Sequence, residues 1–241
     1  MKISINCDMG ESFSLYKMGD DEAMMPLISA ANIACGFHAS DPNHMSKTVE
    51  LAKRNGVSVG AHPSLPDLQG FGRREMKIPV EELTNIVVYQ VGALKAFLTA
   101  AGMPLNHIKP HGALYGMASR DEAVANAICD AAQVFDVPVM GLSGTVHEEV
   151  YTARGIEFIA EYFADLDYDD SGKLIITQEH TAVDPEVAAE RVRRAVEQGE
   201  TESKGGRTLK VKADTICVHS DTPGAVDVAS AVFNAVRTHL A

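Results

Sequence analysis

The chain has 241 residues, 46% of them hydrophobic and 22% charged, enough for one full-size domain with a substantial core. Its formal net charge of −12 argues against general binding of nucleic acid or anionic membrane, because phosphates need a basic footprint. No apolar run approaches the ~20 residues of a membrane span, no signal peptide precedes the first strand, and the four cysteines form no C-x-x-C pair. A reduced, cytoplasmic protein is the expectation.

In chain order, seven short apolar segments read as strands: Lys2–Cys7, Ala31–Cys35, Val57–Ala61, His107–Pro110, Val137–Gly141, Ile156–Ala160 and Thr215–Val218. Helices alternate with them. Asp41-Pro42 caps and starts one that stops at Asn55-Gly56. A long amphipathic helix runs from Pro79 to Ala101 and ends at Gly102. Ser119-Arg-Asp-Glu122 has the capping-box pattern for a helix to Val134. Asp184-Pro185 opens a helix to about Gln198, and Thr222-Pro223 one to about His239. Ser143-Gly-Thr145 reads as a helix cap, Asp165 to Gly172 as a solvated acidic turn, and Glu200 to Lys212 as a surface loop with a brief strand at Thr208–Lys212.

Strand–helix alternation implies a parallel sheet in a single domain over residues 1–241. Side-chain alternation distinguishes an open doubly wound sheet from a barrel. Ile3, Ile5 and Cys7 share one face of the first strand, and Ser4, Asn6 and Asp8 share the other. The second strand opposes Ile33 and Cys35 to Asn32, Ala34 and His38, and the third opposes Val57, Val59 and Ala61 to Ser58, Gly60 and His62. One face is apolar; the other is small or polar and ends in a titratable group. An open doubly wound sheet would be apolar on both faces. The expected fold is therefore α/β: a distorted (β/α) barrel of seven strands with a polar mouth.

Asp8, His38, His62, the pair Lys109 and His111, and His219 lie at or just past strand C-terminal ends, and Glu161 follows the sixth strand on the same alternation. Parallel strands in a barrel bring such ends together, so these groups should converge in one mouth. Asp8, His38 and His62 could hold a divalent metal. Without a metal, the same groups form an acid–base site, with Asp8 or a histidine activating water and Lys109 stabilising negative charge; this second reading is preferred. Gly70-Phe-Gly-Arg-Arg74 offers Arg73 and Arg74 to a carboxylate or phosphate. His44, His147, His180 and His239 fall on helices or loops and read as structural or surface residues.

Several long stretches occur together in order: Asn6-Cys-Asp-Met-Gly-Glu-Ser12, Ala31-Asn-Ile-Ala-Cys-Gly-Phe-His38 with Asp41-Pro42, and Gly60-Ala-His-Pro-Ser64 with Pro66-Asp67. Gly70-Phe-Gly-Arg-Arg74, Lys109-Pro-His-Gly-Ala-Leu-Tyr115, Glu161-Tyr-Phe-Ala-Asp165 with Tyr168, and Cys217-Val-His219 with Asp221-Thr-Pro223 follow. With these the chain resembles, end to end, the bacterial family of 5-oxoprolinase A subunits, also called lactam-utilisation proteins. It departs from the family pattern at Ser40 and Ser220, where glycine is expected, and at Leu166, where arginine is expected. The resemblance implies a barrel of the glycoside hydrolase and deacetylase type. It implies ATP-dependent opening of 5-oxo-L-proline to L-glutamate, with ATP and magnesium as co-substrate and subunits B and C as partners. Asp8, His38, His62, His111, Glu161 and His219 would then serve the chemistry, Lys109 the phosphoryl or lactam oxygen, and Asn32, Arg73 or Arg74 the substrate. The deacetylases' closely spaced histidine pair is missing here, so no metal is carried over. A stand-alone metal-dependent amidohydrolase or deacetylase and a non-catalytic scaffold are the alternatives.

Overall fold

A computed structural model describes residues 2–175 and 181–240; His180 lies outside them. Six strands form one parallel sheet: β1 (Ser4–Met9), β2 (Ala30–Ala34), β3 (Ser58–His62), β4 (Val139–Leu142), β5 (Phe158–Phe163) and, last in the chain, β8 (Thr215–His219). Their order is β3-β2-β1-β8-β5-β4, so β1 sits between β2 and the final strand. Strands β6 (Glu200–Glu202) and β7 (Thr208–Lys210) make a separate antiparallel hairpin, where the sequence predicts a loop with only one brief strand.

The expected strand His107–Pro110 does not form a regular element. Its one bridging residue, Ile108, pairs with Ala61 of β3 on one side and Val139 of β4 on the other. Ala61 N–H donates to the His107 carbonyl at 2.9 Å, Lys109 N–H to Ala61 at 2.9 Å, and Ile108 N–H to Pro138 at 2.9 Å. Pro110 has no N–H to add to the bonds that Ile108 makes with β4, whereas on the β3 side the bonds run past it, His111 N–H donating to the Pro63 carbonyl at 2.9 Å. The sheet is curled, and this segment lies between its two outer strands.

Helix α2 (Pro42–Asn55) is capped by the Asp41 carboxylate, which accepts from the N–H groups of Asn43 and His44. Helix α3 (Val80–Ala101) is long and apolar enough by length and composition to cross a membrane. Its stripe of Leu83, Val87, Val91, Leu94 and Leu98 is fully buried, however, and packs into the core, as a core helix does. The sequence pattern does not predict the short helices α1 (Asp21–Met24) and α4 (Gly112–Ala118). Nor is Ser119 a helix cap. It ends α4, its hydroxyl donating to the Gly116 carbonyl at 2.8 Å, and Asp121 caps α5 (Glu122–Phe135) instead. An aspartate outcompetes the serine two positions earlier because its carboxylate takes both Ala123 and Val124 N–H. Thr145 caps α6 (Val146–Ala153) as expected, Asp184 caps α7 (Pro185–Gln198), and α8 (Ala225–Val236) starts after Gly224, two residues later than Pro223 suggests.

The apolar face of the sheet packs under these helices: Ile3, Ile5, Cys7, Ile33, Val59 and Ile216 are buried in one core. The other face is polar yet equally buried. Asn6, Asn32, His107 and Thr215 are fully buried, and each is hydrogen-bonded. Register aligns the site: Asp8 lies beside Asn32 on β2 and beside His219 on β8.

Candidate active site

Asp8 is the hub. Its Oδ1 accepts from Lys109 Nζ at 2.8 Å and from Asn32 Nδ2 at 2.8 Å. Its Oδ2 lies 3.2 Å from His62 Nε2 and 4.0 Å from His219 Nε2. Burial alone would raise the Asp8 carboxyl; the charges of His62 and Lys109 outweigh it and hold the group well below the usual carboxylate range. Asp8 is thus ionised throughout the neutral range.

Lys109 answers it. Nζ sits 2.9 Å from Glu161 Oε1, 3.2 Å from Cys217 Sγ and 3.4 Å from Asn6 Oδ1, in a site only 2% exposed. Burial disfavours the ammonium, but Asp8, Cys217 and Glu161 together push it well above the ordinary lysine value. A buried cation held between two carboxylates is a fixed positive charge, suited to stabilising an oxyanion or phosphoryl group.

His219 is held by Asp165. Its Nδ1 lies 2.9 Å from Asp165 Oδ1, and its backbone N–H donates to Oδ2 at 2.8 Å. The carboxylate fixes Nδ1 as the protonated nitrogen and leaves Nε2 facing Asp8. Burial lowers the imidazole, but Asp165 more than compensates, and the histidine is shifted upward. Asp165 therefore does not belong to the solvated turn expected of it: it is buried, as is Tyr168, while Asp169 alone caps the exposed turn.

On the other flank stand His38, His62, His111 and Glu11. His62 Nδ1 donates to the Lys109 carbonyl at 2.7 Å and His111 Nε2 to the Phe71 carbonyl at 2.8 Å. His62 Nε2 and His111 Nδ1 then face each other at 2.9 Å. His38 stacks on His111, centroids 3.8 Å apart, with its Nε2 3.1 Å from Glu11 Oε1. Burial holds both His38 and His111 well below the ordinary histidine value. Burial and the charges of Asp8 and Asp221 push Glu11 well above the ordinary carboxylate value, against the pull of Arg73.

Of the expected site residues, Asp8, His62, Lys109, His111 and His219 line one cavity, with Glu161 behind Lys109 and His38 behind Glu11. Arg73 lines it too, paired with Asp221 at 2.7 Å. Arg74 does not: it turns outward, half exposed, and pairs with Asp67 through Nε at 3.0 Å. Asn32 lies beneath the cavity rather than on its wall, donating to Asp8 and Asn6 and accepting from His107 Nε2 at 2.6 Å. The expected triplet Asp8, His38 and His62 is divided: Asp8 keeps His62, and His38 takes Glu11. Leu166, which stands where an arginine is expected, is part of the cavity wall. His147 is buried and structural, its Nδ1 accepting from Leu142 N–H at 3.1 Å, and His44 pairs with Asp41 at 2.7 Å.

Sequence reasoning misses Glu11, Asp165, Asp221 and His107. His107 shares the alternation of Lys109 and His111, so its direction is available in the sequence. The three carboxylates sit past strand ends in turns, where no period assigns a direction.

The model of the LamB/YcsF family matches residues 3–240. This chain belongs to the LamB/YcsF family. It is 46% identical over 242 residues to the A subunit of 5-oxoprolinase from Syntrophobacter fumaroxidans, covering 99% of this chain and 96% of that protein. It is 47% identical to the corresponding 5-oxoprolinase A subunit from Thermus thermophilus, over 98% of this chain and 96% of that one. The crystal structure of a lactam utilization protein from Thermus thermophilus superposes on this LamB/YcsF chain with a TM-score of 0.92 at 46% identity, covering 99% of this chain and 97% of the other.

Proposed function

We propose that this chain is the A subunit of a 5-oxoprolinase and carries the ring-opening half of the reaction. The observation that carries the proposal is the buried row Asp8–Lys109–Glu161 with the His219–Asp165 pair beside it and Arg73 on the cavity wall. A scaffold would gain nothing from so many buried charges, each expensive to desolvate. In the same reading the His107–Pro110 segment closes the sheet as a seventh stave, giving the barrel of the glycoside hydrolase and deacetylase type.

The chemistry needs help because a five-membered lactam is a stable amide. ATP, with magnesium, supplies a phosphoryl group to the lactam oxygen in the assembly with subunits B and C, and ADP leaves. Water then attacks the ring carbon, the C–N bond breaks, and the nitrogen takes a proton. The acyl phosphate left behind is hydrolysed by a second water, giving L-glutamate and phosphate. Lys109 neutralises the charge gathering on the phosphorylated oxygen. His219, whose imidazole Asp165 shifts toward the protonated form, gives the Nε2 proton to the departing nitrogen. Asp8 and the His62–His111 pair serve the water. Arg73 receives the substrate carboxylate in the two-pronged manner of guanidinium. The assembly works in the cytoplasm, where ATP is available.

The test is glutamate release from 5-oxoproline and ATP by this chain alone and with subunits B and C. Turnover is expected only in the full mixture, and Lys109→Met should reduce it at least ~1,000-fold, the upper range for losing one donor to a developing oxyanion. Near-normal turnover by the Lys109→Met assembly would remove the proposed oxyanion role.

A further inference from the structure

The two histidines His62 and His111 meet in a way that two neutral rings do not allow. A backbone carbonyl only accepts, so His62 Nδ1, against the Lys109 carbonyl, must carry a hydrogen, and so must His111 Nε2 against the Phe71 carbonyl. The remaining nitrogens are bare lone pairs when the rings are neutral, and they face each other at 2.9 Å. Two such lone pairs repel. Something cationic must sit between them: a proton or a metal ion.

The surroundings favour the ion. Glu11 Oε1 lies 3.5 Å from His111 Nδ1, and the ligand atoms of Glu11, His62 and His111 all fall within 4.8 Å of one another. Three ligands ~2.0–2.2 Å from a tetrahedral zinc ion stand about 3.3–3.5 Å apart; Glu11 Oε1 and His111 Nδ1 already have that spacing at 3.5 Å, and the two nitrogens at 2.9 Å would part by about 0.5 Å to admit the ion. A single proton would bridge the two nitrogens and leave Glu11 bonded to His38 alone, 3.5 Å from His111 Nδ1. His38 does not join as a ligand. Its ring is stacked on His111 within 9° of parallel, and parallel rings cannot aim in-plane lone pairs at one point. It holds Glu11 instead, at 3.1 Å.

The pinning of both far nitrogens is the support that metal-binding imidazoles require, because it fixes tautomer and ring direction. One of these pins is built at a cost. Phe71 has φ 54°, in the left-handed region that disfavours side chains by about 1–2 kcal/mol, and its carbonyl is the one that His111 uses. Gly72 follows at φ 66°, and a Cβ there would lie 2.8 Å from the His111 ring.

We propose that Glu11, His62 and His111 form a three-ligand site for a divalent transition-metal ion of the zinc class, with an open position toward Asp8 and the cavity. Asp8 Oδ2, 3.2 Å from His62 Nε2, flanks that position. This is the ligand count of sites that act on bound water rather than of closed structural sites. The inference deepens the reading of the same cavity and rests on it for the identity of the substrate. The ligand set itself is tested by binding, so the two can fail separately.

The experiment uses the tag-free full chain stripped with a chelator and titrated with Zn²⁺ by calorimetry and with Co²⁺ by visible absorption. One equivalent should bind, with the intense d–d bands of a low-coordinate nitrogen–oxygen site. His62→Gln, His111→Gln and Glu11→Gln should each weaken binding at least ~10-fold, while His219→Gln should leave it within about twofold. Absence of saturable binding by the unaltered chain would overturn the proposal in favour of a shared proton, without relying on the folding of any variant. Binding lost in His219→Gln but retained in the other three would overturn it in favour of the neighbouring group Asp8, Cys217 and His219.

Discussion

Asp165 touches no wall of the cavity, yet it sets the proton behaviour of His219. With the carboxylate at 2.9 Å the imidazole is shifted upward. Asp165→Asn keeps the shape and removes the charge, so the alkaline limb of turnover should move to lower pH. An unmoved limb in the assembled enzyme would take His219 out of proton transfer. Ser40 makes a different point. It stands where the family pattern has glycine, and it adopts φ 74°, the region glycine occupies freely. Ser40→Gly should therefore raise stability, by about 1 kcal/mol from relief of the strained backbone. A lower urea midpoint would mean that the hydroxyl, 3.5 Å from the Asp41 carbonyl, matters more than the strain. At this scale strand alternation makes Asp8, Lys109 and His219 legible, because a residue on a strand has only two directions. Glu11 and Arg74 lie in turns, where direction follows from local backbone geometry, and Arg74 is drawn away by Asp67.

Strand β3 shows how an element carries the site. Gly60 faces the polar interior, and a Cβ there would lie 2.1 Å from His107 Nε2, the nitrogen that meets Asn32. Gly60→Ala should displace His107, loosen Asn32 from Asp8, and cost about 1–3 kcal/mol, as overpacked cores do. Both thermal stability and turnover should fall. A stable variant with normal turnover would show that Asn32 does not hold Asp8 in place. The regular elements are largely readable from caps and periodicity: α2, α3 and α7 begin and end within a residue or so of the expected places. The short α4 is not, because Lys109-Pro-His-Gly carries loop residues and its turn is fixed by tertiary bonds such as Ala113 N–H to the Gly72 carbonyl at 2.9 Å. His107–Pro110 fails as a strand for a related reason. It has the alternation of one and bonds the β3 side as far as His111, but Pro110 brings no N–H to the β4 side.

The molecule buries several of its histidines as neutral rings, His38, His107, His111 and His147 among them. Burial holds His107 and His147 down to about 3 from an ordinary 6.5. A lowered folded value means that the unfolded chain takes up the proton first, so this stability is complete above 6.5 and is lost as pH falls toward 3. The slope is about 1.4 kcal/mol per pH unit for each such histidine. His219 works the other way: its raised value adds stability below 6.5 that disappears as pH rises through the folded value. Urea melts at pH 7 and pH 5 should show a marked loss for the unaltered chain. The loss should be smaller by about 1.4 kcal/mol per unit in His147→Phe, and equal slopes would mean that His147 is protonated in the fold. The polar mouth is legible from alternation. The curl of the sheet and the pairing of outer strands through one residue, Ile108, are not, because both depend on contacts distant in sequence.

The central place of β1 has a consequence for how the protein is made. One neighbour, β2, leaves the ribosome soon after it; the other, β8, comes last, with Ser4 bonded to Thr215 across 211 residues. At about 5–20 residues per second the first strand waits roughly ten to forty seconds for its partner. During that time Asn6 and Asp8 lie at an open edge, polar groups bound for the interior with half their companions unsynthesised. Lys109 can reach Asp8 only when the intervening strands and loops are in place, and His219 only at the end. Chemistry and fold are therefore completed in the same event, and a chain stalled before Thr215 leaves an unpaired strand edge for holdase chaperones or for misassembly with a second nascent chain.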